Sequence, residues 1–135
     1  MDRDIISADG TRLHLEVSGR GPTALLFVHG WLGSARWWDA QRDALADAYT
    51  IAALDLAGHG ASAARAQPSL AGYADDVVAA AAAIAAERVV LIGHSMAGAY
   101  VVAAAERVPS AAMVVLVDTL KNLDQTMPPA EVEGM

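Results

Sequence analysis

Four continuous apolar runs divide this chain: TALLFVHG at 23–30, TIAALD at 50–55, RVVLIG at 88–93 and AAMVVLVD at 111–118. A strand with one wet face alternates apolar and polar residues. A run without alternation fits a strand covered on both faces, as in a parallel sheet. Helical spacing fills the gaps between the runs. Ser34 is placed to cap a helix through about Tyr49, with Trp38, Leu45 and Tyr49 on one side. Ser69 is placed to cap another from Leu70 to about Glu87, with Tyr73, Val77 and Ile84 inward. MAGAYVVAAAERV reads as a third helix, stopped by Pro109. Strand and helix in strict alternation predict an α/β fold with a mainly parallel sheet and right-handed crossovers.

Ahead of this rhythm, residues 3–18 read as two strands joined at ADGT. Asp9-Gly10 is the hairpin signal, and TRLHLEV alternates as a half-exposed strand does. The 135 residues make one domain, 1–135, with no internal repeat and no linker. The last stretch, TLKNLDQTMPPAEVEGM, has weak periodicity and a Pro-Pro pair.

Composition narrows the function classes. The formal net charge is −7 with no Lys/Arg cluster, which argues against nucleic acid and against anionic membrane surfaces. There are no cysteines, which excludes disulfides and thiolate metal sites. The N-terminus MDRDIISADG lacks an apolar signal core, and the longest apolar run, VVAAAAAIAA at 77–86, is too short to span a bilayer. The expectation is a cytoplasmic protein.

The stretch LIGHSMAG, 91–98, drives an apolar strand into a turn of small residues with Ser95 at its apex. A serine hydroxyl is a poor nucleophile until a base takes its proton and donors meet the developing oxyanion. A sharp strand-to-helix turn exposes the hydroxyl but brings backbone close. Small residues are then needed around it, here Gly93, Ala97 and Gly98. The following helix points its free N–H groups at the reacting oxygen. The N–H of Met96 is one expected oxyanion donor.

Together with ADGTRLHLEVSGRGP, LLFVHGWLGSARWWDAQRDAL and LDLAGHGAS, that stretch resembles the N-terminal half of an α/β-hydrolase fold enzyme, in order and spacing. The resemblance implies an α/β-hydrolase-like sheet with the N-terminal antiparallel hairpin, ending after strand six. It implies Ser95 as nucleophile and the N–H of Trp31, after the His29-Gly30 turn, as second oxyanion donor. His29 and Gly30 are expected at the substrate, although His29 and His59 match loop histidines that are usually structural. Serine rather than aspartate at the apex points to esterases, lactonases and carbon–carbon bond hydrolases, away from haloalkane dehalogenases and epoxide hydrolases. Ala97 departs from the family's usual glycine. Asp118, at the end of the last apolar run, is the candidate triad acid, with a capping aspartate as the alternative. Asp55 matches a usually structural residue. No metal and no cofactor are expected, since no histidine pairs with another at metal-ligand spacing.

The remaining histidines are His94, expected to leave the turn opposite Ser95, and His14, expected to face outward. The resemblance implies a base histidine in the order Ser, acid, His. No histidine follows Ser95. The chain therefore reads as part of such an enzyme, with its base supplied from outside and strand 111–118 open to self-association or a complementing chain. Two functions compete: a serine hydrolase of a small, apolar ester, lactone or related acyl or C–C substrate, and a non-catalytic fragment or binding half. A dinucleotide-binding domain fails, because no G-x-G-x-x-G follows the first apolar run.

Overall fold

The computed structural model of the protein describes residues 1–119. The tail from Leu120 on, with its Pro-Pro pair, lies outside the described residues. Six strands form one sheet: β1 (Asp2–Ile6), β2 (Arg12–Gly19), β3 (Thr23–Val28), β4 (Thr50–Leu54), β5 (Arg88–His94) and β6 (Ala111–Val117). Three helices connect them: α1 (Asp39–Leu45), α2 (Leu70–Ala82) and α3 (Ala97–Ala105). The strand order is β1-β2-β4-β3-β5-β6, with β1 and β2 antiparallel and β4, β3, β5 and β6 parallel to one another.

The hairpin turns where Asp9-Gly10 predicts it. Gly10 takes φ +89° and donates to the Ser7 carbonyl at 3.0 Å, while the Asp9 side chain accepts from the Thr11 N–H at 3.0 Å. The apolar runs split their side chains between two faces, as a strand's period of two requires. Leu26 and Val28 of β3, Leu54 of β4 and Leu91 of β5 join α2 and α3 in the larger core through Val77, Ala80 and Val101. Leu25, Phe27, Ile51 and Ile92 face the opposite side, where Ala35 and Trp38 cover them. Both faces are thus dry, which explains runs without alternation.

Three local expectations are corrected. The segment after β3 starts as a 3₁₀ turn over Ala35–Trp38, and the Ser34 side chain makes no cap bond. The Ala35 N–H instead donates to Asp55 Oδ1 at 2.7 Å, so a residue 20 positions away does the capping. The α1 helix ends at Leu45, before Tyr49, and α2 ends at Ala82, before Glu87. The Ser69 cap does form, its hydroxyl accepting from the Gly72 N–H at 3.0 Å. Finally β6 is not the doubly covered strand its apolar run suggests, although it is the open edge expected of strand 111–118. It lies at the sheet edge with Met113, Leu116 and Val117 exposed, because among the described residues nothing covers its outer side.

Candidate functional site

Strand β3 connects to β4 on one side, and β4 then connects across to β5 on the other. The order in which strands are added therefore reverses around β3, and ligands of open parallel sheets bind at such a crevice, beyond the C-terminal strand ends. Val28 of β3 pairs in register with Gly93 of β5, so the loops after both strands meet there. Three non-glycine residues have left-handed backbone at this same edge: Leu32 at φ +61°, Ser95 at +54° and Asp118 at +52°. Such a conformation is uncommon for residues with a Cβ and marks a turn held by its surroundings.

The crowding around Ser95 explains the small residues. A Cβ on Gly93 would stand 2.6 Å from the Ala97 carbonyl oxygen, and one on Gly98 would meet the Thr119 side chain at 2.4 Å. Ala97 is itself fully buried, so its methyl is accommodated in the packing at this turn. The turn is pinned from β6 as well. The Ser95 N–H donates to the Val117 carbonyl at 2.9 Å, and the Thr119 hydroxyl donates to the Ser95 carbonyl at 3.1 Å. Beside it, the His29-Gly30 turn delivers Trp31. Gly30 packs against His94 and Ser95, and both Trp31 and Met96 are exposed. Among the described residues the N–H groups of Trp31 and Met96 donate to no protein acceptor. Both residues adjoin the Ser95 turn, Met96 in sequence and Trp31 through Gly30.

The four histidines have other occupations. His29 is fully buried. Its Nδ1 lies 2.7 Å from the Gly30 carbonyl and its Nε2 accepts from the Leu56 N–H at 3.1 Å. A carbonyl only accepts and an amide only donates, so the ring is the neutral Nδ1–H tautomer. Burial pushes its pKa down, against the opposing Gly30 hydrogen bond and with help from neighbouring His59. His59 donates from Nδ1 to the Ala57 carbonyl at 3.0 Å and lies 4.9 Å from the His29 ring. His94 stacks on Trp37 at 5.3 Å and meets the edge of Trp38 at 6.3 Å. Trp37 is exposed, while Trp38 is buried with its Nε1 unpartnered among the described residues. His14 alternates with buried Leu13 and Leu15 and so takes the outward face, but it is half-buried, 3.9 Å from Asp2 across the hairpin and from Glu16 on its own strand. These three could gather around a cation, but Arg42 stands 4.0 Å from Glu16 and already supplies positive charge.

The two aspartates separate. Asp118 is exposed, at the end of β6. Asp55 is buried and structural: Oδ1 accepts from Ala35 and Oδ2 from the Ala61 N–H at 3.0 Å. Gly60 passes so close that any Cβ there would stand 2.3 Å from the Asp55 carboxylate.

Sequence reasoning missed a third aspartate. Asp76, in mid-helix, is fully buried, accepting from the Ser7 hydroxyl at 2.6 Å, from Arg65 and from the Ala57 N–H at 3.2 Å. Its partners are far apart in sequence, so no spacing announces it. It also missed a cleft of about 200 Å³ that reaches Met96, the residue after Ser95, and is walled further by Trp31, Leu56, His59, Tyr73 and Tyr100. Tyr73 and Tyr100 stack at 4.8 Å there, and burial, with Tyr73 beside it, pushes the Tyr100 pKa up, so its phenol stays neutral.

Parallel strands with helices on both faces, and a left-handed serine between strand and helix, define an α/β protein whose working edge is the C-terminal one. The chain belongs to the alpha/beta hydrolase fold family, whose sequence model matches residues 23–134. It is 40% identical over 111 residues to the dihydrolipoyllysine-residue acetyltransferase component of the acetoin cleaving system of Cupriavidus necator, covering 78% of this chain and 30% of that one. It is 36% identical over 93 residues to an epoxide hydrolase of Caballeronia sordidicola, covering 66% of this chain and 28% of that one. A solved thermophilic esterase from Thermogutta terrifontis superposes with a TM-score of 0.84 at 27% identity, over 99% of this chain and 50% of the esterase. The chain thus spans under a third of those two curated relatives and half of that esterase. Among the described residues no helix is long and apolar enough to cross a membrane.

Proposed function

We propose that this chain carries the nucleophile and oxyanion donors of a serine hydrolase acting on small acyl substrates. The observation that carries this reading is Ser95 at φ +54°, wedged between Gly93, Gly98 and Gly30, none of which has room for a Cβ at ordinary distance. In this reading Ser95 Oγ attacks the acyl carbon and the carbonyl oxygen gathers negative charge between the N–H groups of Trp31 and Met96. The Oγ proton passes to a base. The tetrahedral species then expels the alcohol as the C–O bond breaks, and water later releases the acid. Gly30 lets the two turns close on each other, and His29 acts as a positioning residue that holds the oxyanion turn to the Leu56 backbone. Asp118 keeps the role of candidate acid, at the right edge of the sheet. The esterase likeness, and serine where an epoxide hydrolase of this fold would carry a carboxylate, favour ester over epoxide chemistry.

A second reading, a binding half without its own chemistry, is favoured by the histidines. His29, His59 and His94 are committed elsewhere and no histidine follows Ser95, so in this reading the base comes from outside these 135 residues. Among the described residues the outer edge of β6 is open, and a further strand would pair there. Labelling of the purified chain with a fluorophosphonate probe decides between the readings. Labelling that disappears in Ser95→Ala supports the nucleophile. A folded chain that never labels, even at high probe concentration, supports the binding half.

A further inference from the structure

The cleft that reaches Met96 has a definite size and chemistry. Its volume of about 200 Å³ is modest against the several hundred of a drug-sized site, and slightly above the ~150 Å³ that holds one benzene. Its walls are mainly rings and apolar side chains: Trp31, Met96, Leu56, Pro68, the stacked pair Tyr73 and Tyr100, and the imidazole of His59, whose Nδ1 is bonded to the Ala57 carbonyl. Arg65 approaches from behind Tyr73, its guanidinium carbon 6.0 Å from that ring. Arg65 is already paired with Asp76 and Asp9 and has no unused charge to offer a ligand.

From these observations we propose that the cleft is the seat of the acyl group, and that it fits a compact neutral aromatic acyl group of about benzoyl size in preference to a fatty chain. Trp31 and Met96 belong both to the cleft wall and to the expected oxyanion donors. A carbonyl held between their N–H groups therefore projects its substituent toward the tyrosine pair. A flat ring there meets Tyr73, Tyr100 and Trp31 at stacking or edge distances without losing rotamer freedom. A long chain overfills the space and must leave it for water. The proposal rests on the hydrolase reading for its catalytic meaning, but the binding it asserts is independent of Ser95 reactivity.

The test is ligand-observed NMR on the full chain with methyl benzoate, and with methyl decanoate as comparator. Ser95→Ala, Tyr73→Leu and Tyr73→Ala are carried alongside, with circular dichroism as the folding control. Methyl benzoate is expected to bind with a Kd of about 1 mM. Tyr73→Leu, which keeps apolar volume but removes the ring, should weaken it at least threefold, in the Ser95→Ala background as in the original chain. Non-specific apolar surface would prefer the decanoate, which has more area to bury. Tighter binding of the decanoate, no binding of the benzoate, or binding indifferent to both Tyr73 variants overturns the proposal, whatever the fluorophosphonate result. Benzoate binding without probe labelling would leave the cleft standing and remove the nucleophile reading instead.

Discussion

Gly30 lies so close to Ser95 that a Cβ added to it would stand 3.2 Å from the Ser95 Cβ, and 3.0 Å from His94 Nδ1. The loop after β3 and the turn after β5 are therefore one packed unit. Adding a methyl separates two kinds of crowding. At Gly93 the obstacle is backbone, the Ala97 carbonyl at 2.6 Å, which cannot step aside without moving α3. At Gly30 it is mainly a ring and a side chain that can yield by a few tenths of an ångström. Gly93→Ala should cost about 2–3 kcal/mol in urea unfolding, the upper range of overpacking. Gly30→Ala should cost about 1 kcal/mol or less, while slowing probe labelling at least tenfold because the two turns no longer close. Equal costs at the two positions would contradict the geometry.

The backbone of Ser95 stores strain that function would justify and stability would not. A left-handed conformation costs a residue with a Cβ about 1–2 kcal/mol, and glycine escapes it while losing more freedom on folding. Ser95→Gly should therefore be more stable than Ser95→Ala by about 1 kcal/mol, although both lack the hydroxyl and neither should label. Two variants of equal melting temperature would mean that φ relaxes in solution.

What was legible in the sequence was what is local. Asp9-Gly10, the Ser69 cap and the sharp turn at Ser95 are each set by a few adjacent residues, and each is found in place. Ser34 misled because capping is a competition, and the Asp55 carboxylate reaches the Ala35 N–H first. The apolar composition of β6 read as burial, but composition reports what a strand could bury, not what lies against it. Asp76 and the cleft were invisible for one reason. Both are assembled from side chains brought together only by the crossovers, such as Ser7, Ala57 and Arg65 around Asp76.

The Asp76 network ties the hairpin turn, the loop carrying His59 and α2 into one piece. Asp76 is fully buried and the Arg65 side chain is 8% exposed, with Asp9 binding the outer face of the same guanidinium at 2.6 Å. Breaking a buried pair from one side leaves an uncompensated charge and costs about 3–5 kcal/mol, far more than a surface pair. Asp76→Ala should fall in that range, since it also orphans the Ala57 N–H. Arg65→Ala should be similar, and the double variant should lose much less than the sum. A coupling below about 0.5 kcal/mol in a double-mutant cycle would show that the pair is not buried in solution.

The buried His29 makes stability depend on pH in a definite direction. Burial, as the largest cause, lowers its folded pKa below the ordinary imidazole value of about 6.5. The unfolded chain therefore binds a proton that the folded chain refuses. Stability is at its full value above about pH 6.5 and falls as the pH drops from there through the lowered folded pKa, by at most about 1.4 kcal/mol per pH unit for this one group. Protonation would force Nε2 to become a donor facing the Leu56 N–H, and the turn that presents Trp31 would lose its anchor. Melting temperatures from pH 8 to pH 5 should show the fall begin well above the carboxylate range. His29→Asn should be less stable at pH 8, because the amide cannot reach both backbone partners, yet flatter between pH 7 and pH 5. A variant whose profile runs parallel to that of the original chain would place the acid sensitivity on another group and remove His29 from the account.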